Sequence, residues 1–123
     1  MVEDEIIDPD RLATLLRAEI EGLTDPPFDR LTVVDLDAEP DALDTPAFAV
    51  QDGSEPVFEA TKQDTRLVLS FSEDPATVAE AGREAGLRVR PKATTPPATL
   101  LFVERGAAVK RVIDVLRAVL PSQ

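Results

Sequence analysis

The apolar residues of this chain fall in short blocks, and two of those blocks are unbroken runs of three or more large side chains. Leu67-Val68-Leu69 sits inside 66–72, and Leu100-Leu101-Phe102-Val103 sits inside 98–104. A run of that kind, too short for a helix of its own, is the mark of a central strand. Any fold for the chain must therefore place at least two strands in the middle of a sheet.

The rest of the chain can be read around those two. Leu12, Leu16, Ile20 and Leu23 recur at helical spacing, with Asp8 as a cap and Pro9 at the first helical position, so 9–22 is predicted helical. Strands are predicted at 31–36, 47–50 and 57–61, with Asp52-Gly53 as a hairpin signal and Gln63-Asp64-Thr65 as a further turn. Asp74-Pro75 starts a second helix running to about residue 85, with Gly86 as its cap. Gly82 inside that helix costs roughly 1 kcal/mol relative to Ala. Short strands follow at 87–90 and 98–104. The last helix, 107–120, buries Val109, Val112, Ile113, Leu116 and Leu120.

The order is α-β-β-β-β-α-β-β-α. The spacing predicts a single α+β domain over residues 1–123, a mixed and mostly antiparallel sheet with helices packed on it. Residues 1–7 are read as a flexible acidic tail whose Ile6-Ile7 could staple onto the first helix or a sheet edge. The segment 66–72, 75–85, 87–90 has the makings of a right-handed crossover unit.

Missing residue types narrow the chemistry. The chain has no Cys, His, Trp or Tyr. That removes thiol and imidazole catalysis, Cys/His zinc sites, disulfides and Ser-His-Asp triads. Five glycines and no Gly-rich fingerprint argue against a phosphate cradle built from backbone amides, and no cofactor is predicted. No apolar run reaches the roughly 18 residues of a membrane helix. The first residues are acidic, whereas a signal peptide begins basic. The expectation is a soluble, cytoplasmic protein, monomer or homodimer.

The charge layout is the most informative feature for function. There are 24 acids and 13 bases, for a net charge of −11. Ten of the bases are Arg and three are Lys. Dense carboxylates with scarce Lys resemble the proteome style of salt-accumulating archaea. In molar salt the Debye length falls to about 3 Å and like charges barely repel. Residues 1–59 carry 17 acids and 3 bases, while residues 60–123 carry 7 acids and 10 bases. A basic half in an acidic protein points to an anionic partner. The plainer reading is that the two halves pack together and partly neutralise each other.

The candidate ligand-binding residues are Arg88, Arg90, Lys92, Arg105, Lys110, Arg111 and Arg117. Arg88 and Arg90 are two apart on a strand and share a face. Lys110, Asp114 and Arg117 share one helix face, with Arg111 beside them. Arg offers phosphate a planar fork of donors. The plainer reading has these side chains snorkelling on a helix exterior. The acidic stretch 37–44 is likewise a docking loop for a basic partner or simply a solvated loop.

Two catalytic readings come from short resemblances. Asp35-Leu36-Asp37 after a hydrophobic strand resembles the first motif of the haloacid dehalogenase-type phosphatases. That resemblance implies Asp35 as nucleophile and Mg²⁺ held with Asp37. Glu39 stands where that family has Thr or Val. The element order also resembles the core of the PD-(D/E)xK nucleases, with Pro40-Asp41 ahead of Glu59-Ala60-Thr61-Lys62. Those enzymes need their acid and Lys two apart on one strand face. Glu59 and Lys62 are three apart, so they should point to opposite faces unless a bulge intervenes. The function expected is a non-enzymatic protein-interaction or regulatory module. The alternatives are a nucleic-acid or phosphorylated-ligand binder acting through the basic half, and a Mg²⁺-dependent hydrolase.

Overall fold

The computed structural model describes residues 8–26, 28–36, 46–63, 66–72, 74–93 and 97–120. The acidic tail 1–7, Asp37 and most of the loops at 37–46 and 63–65 lie outside the described residues. The elements are α1 (Pro9–Gly22), β1 (Leu31–Asp35), β2 (Pro46–Asp52), β3 (Glu55–Lys62), β4 (Leu67–Phe71), α2 (Pro75–Glu84), β5 (Arg88–Lys92), β6 (Ala98–Val103) and α3 (Gly106–Val119). A short 3₁₀ turn, Phe28–Arg30, precedes β1 and was not expected from the sequence. The predicted order is observed.

Six strands form one sheet in the order β1-β2-β3-β4-β6-β5. Every ladder is antiparallel, so the sheet is not mixed as expected. The two unbroken apolar runs are neighbours, with Leu67 opposite Val103 and Leu69 opposite Leu101. The expected crossover over β4, α2 and β5 forms in split form. Both β4 and β5 run antiparallel to β6, so they are parallel to each other with β6 between them. The 57–61 and 47–50 strands extend toward each other until Asp52 pairs with Glu55. This leaves Gly53-Ser54 as a two-residue hairpin turn. Pro91 lies within β5, where an edge strand tolerates it.

All three helices pack on one face. α1 lies against β1, β3 and β4, α2 lies against β5 and β6, and α3 sits between α1 and α2. The alternation of each strand fills the layer between. Phe48, Val50, Phe58, Ala60, Leu67, Leu69, Phe71, Leu101 and Val103 meet Leu12, Leu16, Ile20, Val112 and Leu116. The Phe48, Phe58 and Phe71 rings lie in sequence across this core, 6.0 and 5.2 Å apart.

The local signals hold at the start of α1 and the end of α2, whereas Asp74 opens α2 from the left-handed region, φ +46°, with no side-chain cap. Asp8 accepts a hydrogen bond from the Asp10 N–H at 2.9 Å. α2 closes with a paired motif, Leu87 N–H to Gly82 O at 2.9 Å and Gly86 N–H to Arg83 O at 3.0 Å, with Gly86 at φ +82°. α2 also approaches the sheet closely through Gly82. A Cβ there would lie 2.7 Å from Leu101 Cδ2 and 2.8 Å from Val89 Cγ2. The glycine that weakens the helix by propensity is what lets it pack. No helix among the described residues is long and apolar enough to cross a membrane.

Candidate functional site

The sheet face opposite the helices carries no element among the described residues, and the basic residues gather at one corner of it. β5 is the edge strand there, so its alternation turns Arg88, Arg90 and Lys92 together toward that face, all three exposed. Beside β5, Phe102 of β6 points the same way, paired with Arg88 across the ladder. The ring is nonetheless buried, 5% exposed. Guanidinium groups cover it: Arg66 Cζ lies 4.4 Å and Arg88 Cζ 5.4 Å from its centroid.

Where β6 ends and α3 begins, the chain forms a cleft of about 240 Å³. Three arginines from three places in the sequence line it: Arg88 from β5, Arg105 from the β6–α3 junction and Arg111 from the second turn of α3. Glu104 is the one acid in the lining. Its carboxylate lies 3.5 Å from Arg88 Nη1 and 3.8 Å from Arg66 Nη1. Arg111 is oriented by donating from Nη1 to Gly86 O at 3.2 Å. Arg105 makes no ion pair among the described residues.

The backbone adds to the positive potential. Arg105 occupies the N-cap of α3 and its side chain makes no capping bond, and the first turn holds no acid. The Gly106 and Ala107 N–H groups have no acceptor among the described residues. The positive end of the helix dipole therefore opens beside three guanidinium groups. A basic N-cap works against helix stability, which is the kind of local conflict that marks a working surface.

The seven sequence-predicted cations thus separate. Arg88, Arg105 and Arg111 converge on the cleft, and Arg90 and Lys92 extend from it along β5. Lys110 is exposed on α3. Arg117 is elsewhere, its Nη1 2.6 Å from Asp25 Oδ2 and its Cζ 4.8 Å from the Phe28 ring centre. The hydrogen bond from Arg117 holds the Asp25 carboxyl below the usual carboxylate range. The sequence did carry a signal for the cleft. Arg105-Gly106-Ala107-Ala108 starts a helix with a base and no acid, where the other two helices start at Asp8 and Asp74.

The acidic candidates are placed differently. Asp35 ends β1 and accepts from Arg17 Nη1 at 2.5 Å, and Asp37 lies outside the described residues. No group of three or more potential metal-ligating side chains occurs among the described residues. Glu59 and Lys62 lie on opposite faces of β3, with an unbroken register from one to the other. Glu59 is exposed and Lys62 is buried against Asp10, as their spacing predicts.

The model of DUF7993, a family of unknown function, matches residues 1–123, and the chain belongs to that family. No curated protein and no solved structure matches it.

Proposed function

We propose that this DUF7993 chain is a non-enzymatic interaction module that recognises an anionic, phosphate-type group in the arginine cleft. The observation that carries this reading is the convergence of Arg88, Arg105 and Arg111, distant in sequence, on one cleft of about 240 Å³. Three like charges placed together repel one another and are stabilised by a shared anion. Guanidinium forks and helix N–H groups both suit a tetrahedral oxyanion. Glu104 occupies part of that role in the free protein and gives way when a stronger anion arrives. The acid-rich, Lys-poor composition supports a protein working in a salt-rich cytoplasm, where the cleft must compete with dissolved anions.

The test is calorimetric titration with inorganic phosphate and phenyl phosphate at several salt concentrations. The expected outcome is saturable binding to the native chain. Arg105→Gln with Arg111→Gln should weaken it at least tenfold while the circular dichroism spectrum stays the same. Equal binding by the native and double-variant chains would remove the cleft from the function.

A further inference from the structure

The cleft continues into a row of cationic residues along one face of β5. Arg88, Arg90 and Lys92 project from the same face of β5, and each two-residue step along a strand is about 6.7 Å. β5 has only β6 beside it, so nothing in the sheet stands outside the row. Arg88 belongs to both features: it lines the cleft and heads the row. At that junction its guanidinium and that of Arg66 ride over the Phe102 ring on the open face of the sheet.

We propose that the occupant is single-stranded nucleic acid, its terminal phosphate in the arginine cleft and its following phosphates along Arg88, Arg90 and Lys92. This rests on reading the cleft as an anion site. A stacked strand advances about 3.4 Å per nucleotide. The row is spaced at about twice that, so a strand drawn out along β5 sets one phosphate against each cation. A duplex carries its phosphates on a helical path that diverges from a row set along one strand. In inorganic polyphosphate, neighbouring phosphorus atoms share one oxygen and lie much closer together than these cations. A phosphopeptide brings one phosphate and leaves the row unused. A cleft of about 240 Å³ is of a size for one terminal phosphate group. Bases would meet the Arg66 and Arg88 planes, since the Phe102 ring beneath them is covered; guanidinium planes serve as stacking surfaces for unpaired bases.

The experiment is fluorescence anisotropy competition on the full chain, at low and moderate salt. The probes are inorganic phosphate, thymidine monophosphate, oligothymidines of two to eight nucleotides with a 5′-phosphate, a 3′-phosphate or neither, a duplex of the same length, and polyphosphate. Affinity should rise at least tenfold from one to about four nucleotides and then level off. A phosphate at one of the two ends should add at least fivefold. Arg90→Gln with Lys92→Gln should flatten the length dependence, and Arg105→Gln with Arg111→Gln should abolish the end-phosphate effect. Log affinity against log salt should fall with a slope of about −3 for four neutralised phosphates.

Phosphate or mononucleotide binding with no gain in length overturns this proposal and leaves the cleft reading intact. Absence of binding by every probe, phosphate included, overturns both. Polyphosphate binding as tight as the single strand overturns the nucleic-acid assignment, duplex binding as tight overturns the single-strand assignment, and indifference to a phosphate at either end overturns the placing of a terminal phosphate in the cleft.

Discussion

Glu104 lies 3.5 Å from Arg88 across the mouth of the arginine cleft, an acid and a base each about half exposed or more. Such a pair is worth little to stability, roughly 0–1 kcal/mol. It matters more for binding, because Glu104 sits where an incoming anion would be repelled. Glu104→Gln should leave the denaturation midpoint nearly unchanged and tighten phosphate binding severalfold, with the gain shrinking as salt rises. Calorimetry of the native and variant chains in parallel checks it; weaker binding by the variant would show that Glu104 positions Arg88 instead of competing for it.

Gly82 reverses the usual rule for helices. Gly→Ala in an exposed helix interior stabilises by roughly 1 kcal/mol. Here the added Cβ would press on Leu101 and Val89 at under 3 Å. Leu101 is fully buried, so its side chain has little room to yield. Overpacking of this kind costs about 1–3 kcal/mol. Gly82→Ala should therefore lower stability by about 1 kcal/mol net, read as a lower midpoint in urea with an unchanged slope. A raised midpoint would mean that α2 can lift from the sheet.

Lys62 is buried to 2% exposure and donates to Asp10 Oδ1 at 2.9 Å, tying the end of β3 to the first turn of α1. Its four-carbon stem contributes as packed apolar surface, at about 0.8 kcal/mol per methylene. Lys62→Ala should cost about 2–3 kcal/mol. Asp10→Asn keeps the stem in place and its carboxylate is largely solvated, so it should cost about 1 kcal/mol or less. Thermal unfolding of the two variants checks the ranking, and an equal loss in both would place the energy in the ion pair.

The pairing of Arg117 with Asp25 gives a pH dependence of known sign. The folded pKa of Asp25 is depressed, first by the hydrogen bond from Arg117. A depressed acid contributes stability above its unfolded value near 3.9, and loses it as pH falls through the lower folded value. Carboxyl NMR should show Asp25 titrating below the ordinary aspartate range. Arg117→Gln should return it to the ordinary range. The effect should fade in high salt, because both groups are solvated. An unmoved Asp25 titration in the variant would assign the depression to the backbone.

How much of this was legible in the sequence depends on the range of the interaction. The element order, the cap at Asp8, the paired closure at Gly86 and the opposite faces of Glu59 and Lys62 all follow from periodicity and from turn chemistry within a few residues. Those signals are set by backbone geometry and survive any tertiary arrangement. The place of β6 between β4 and β5 is a choice among strand pairings that local sequence does not distinguish. That choice carries Arg88 to the start of α3 and into one cleft with Arg105 and Arg111. Arg117, on the same helix as Arg111 and of the same chemistry, was turned to Asp25 because the 3₁₀ segment at Phe28 packs beneath it. The sequence by itself determined which residues are charged and which side of each element they occupy. Only the tertiary structure decided which of those charges meet, because convergence depends on strand order and helix docking, and both are settled by burial of the shared core.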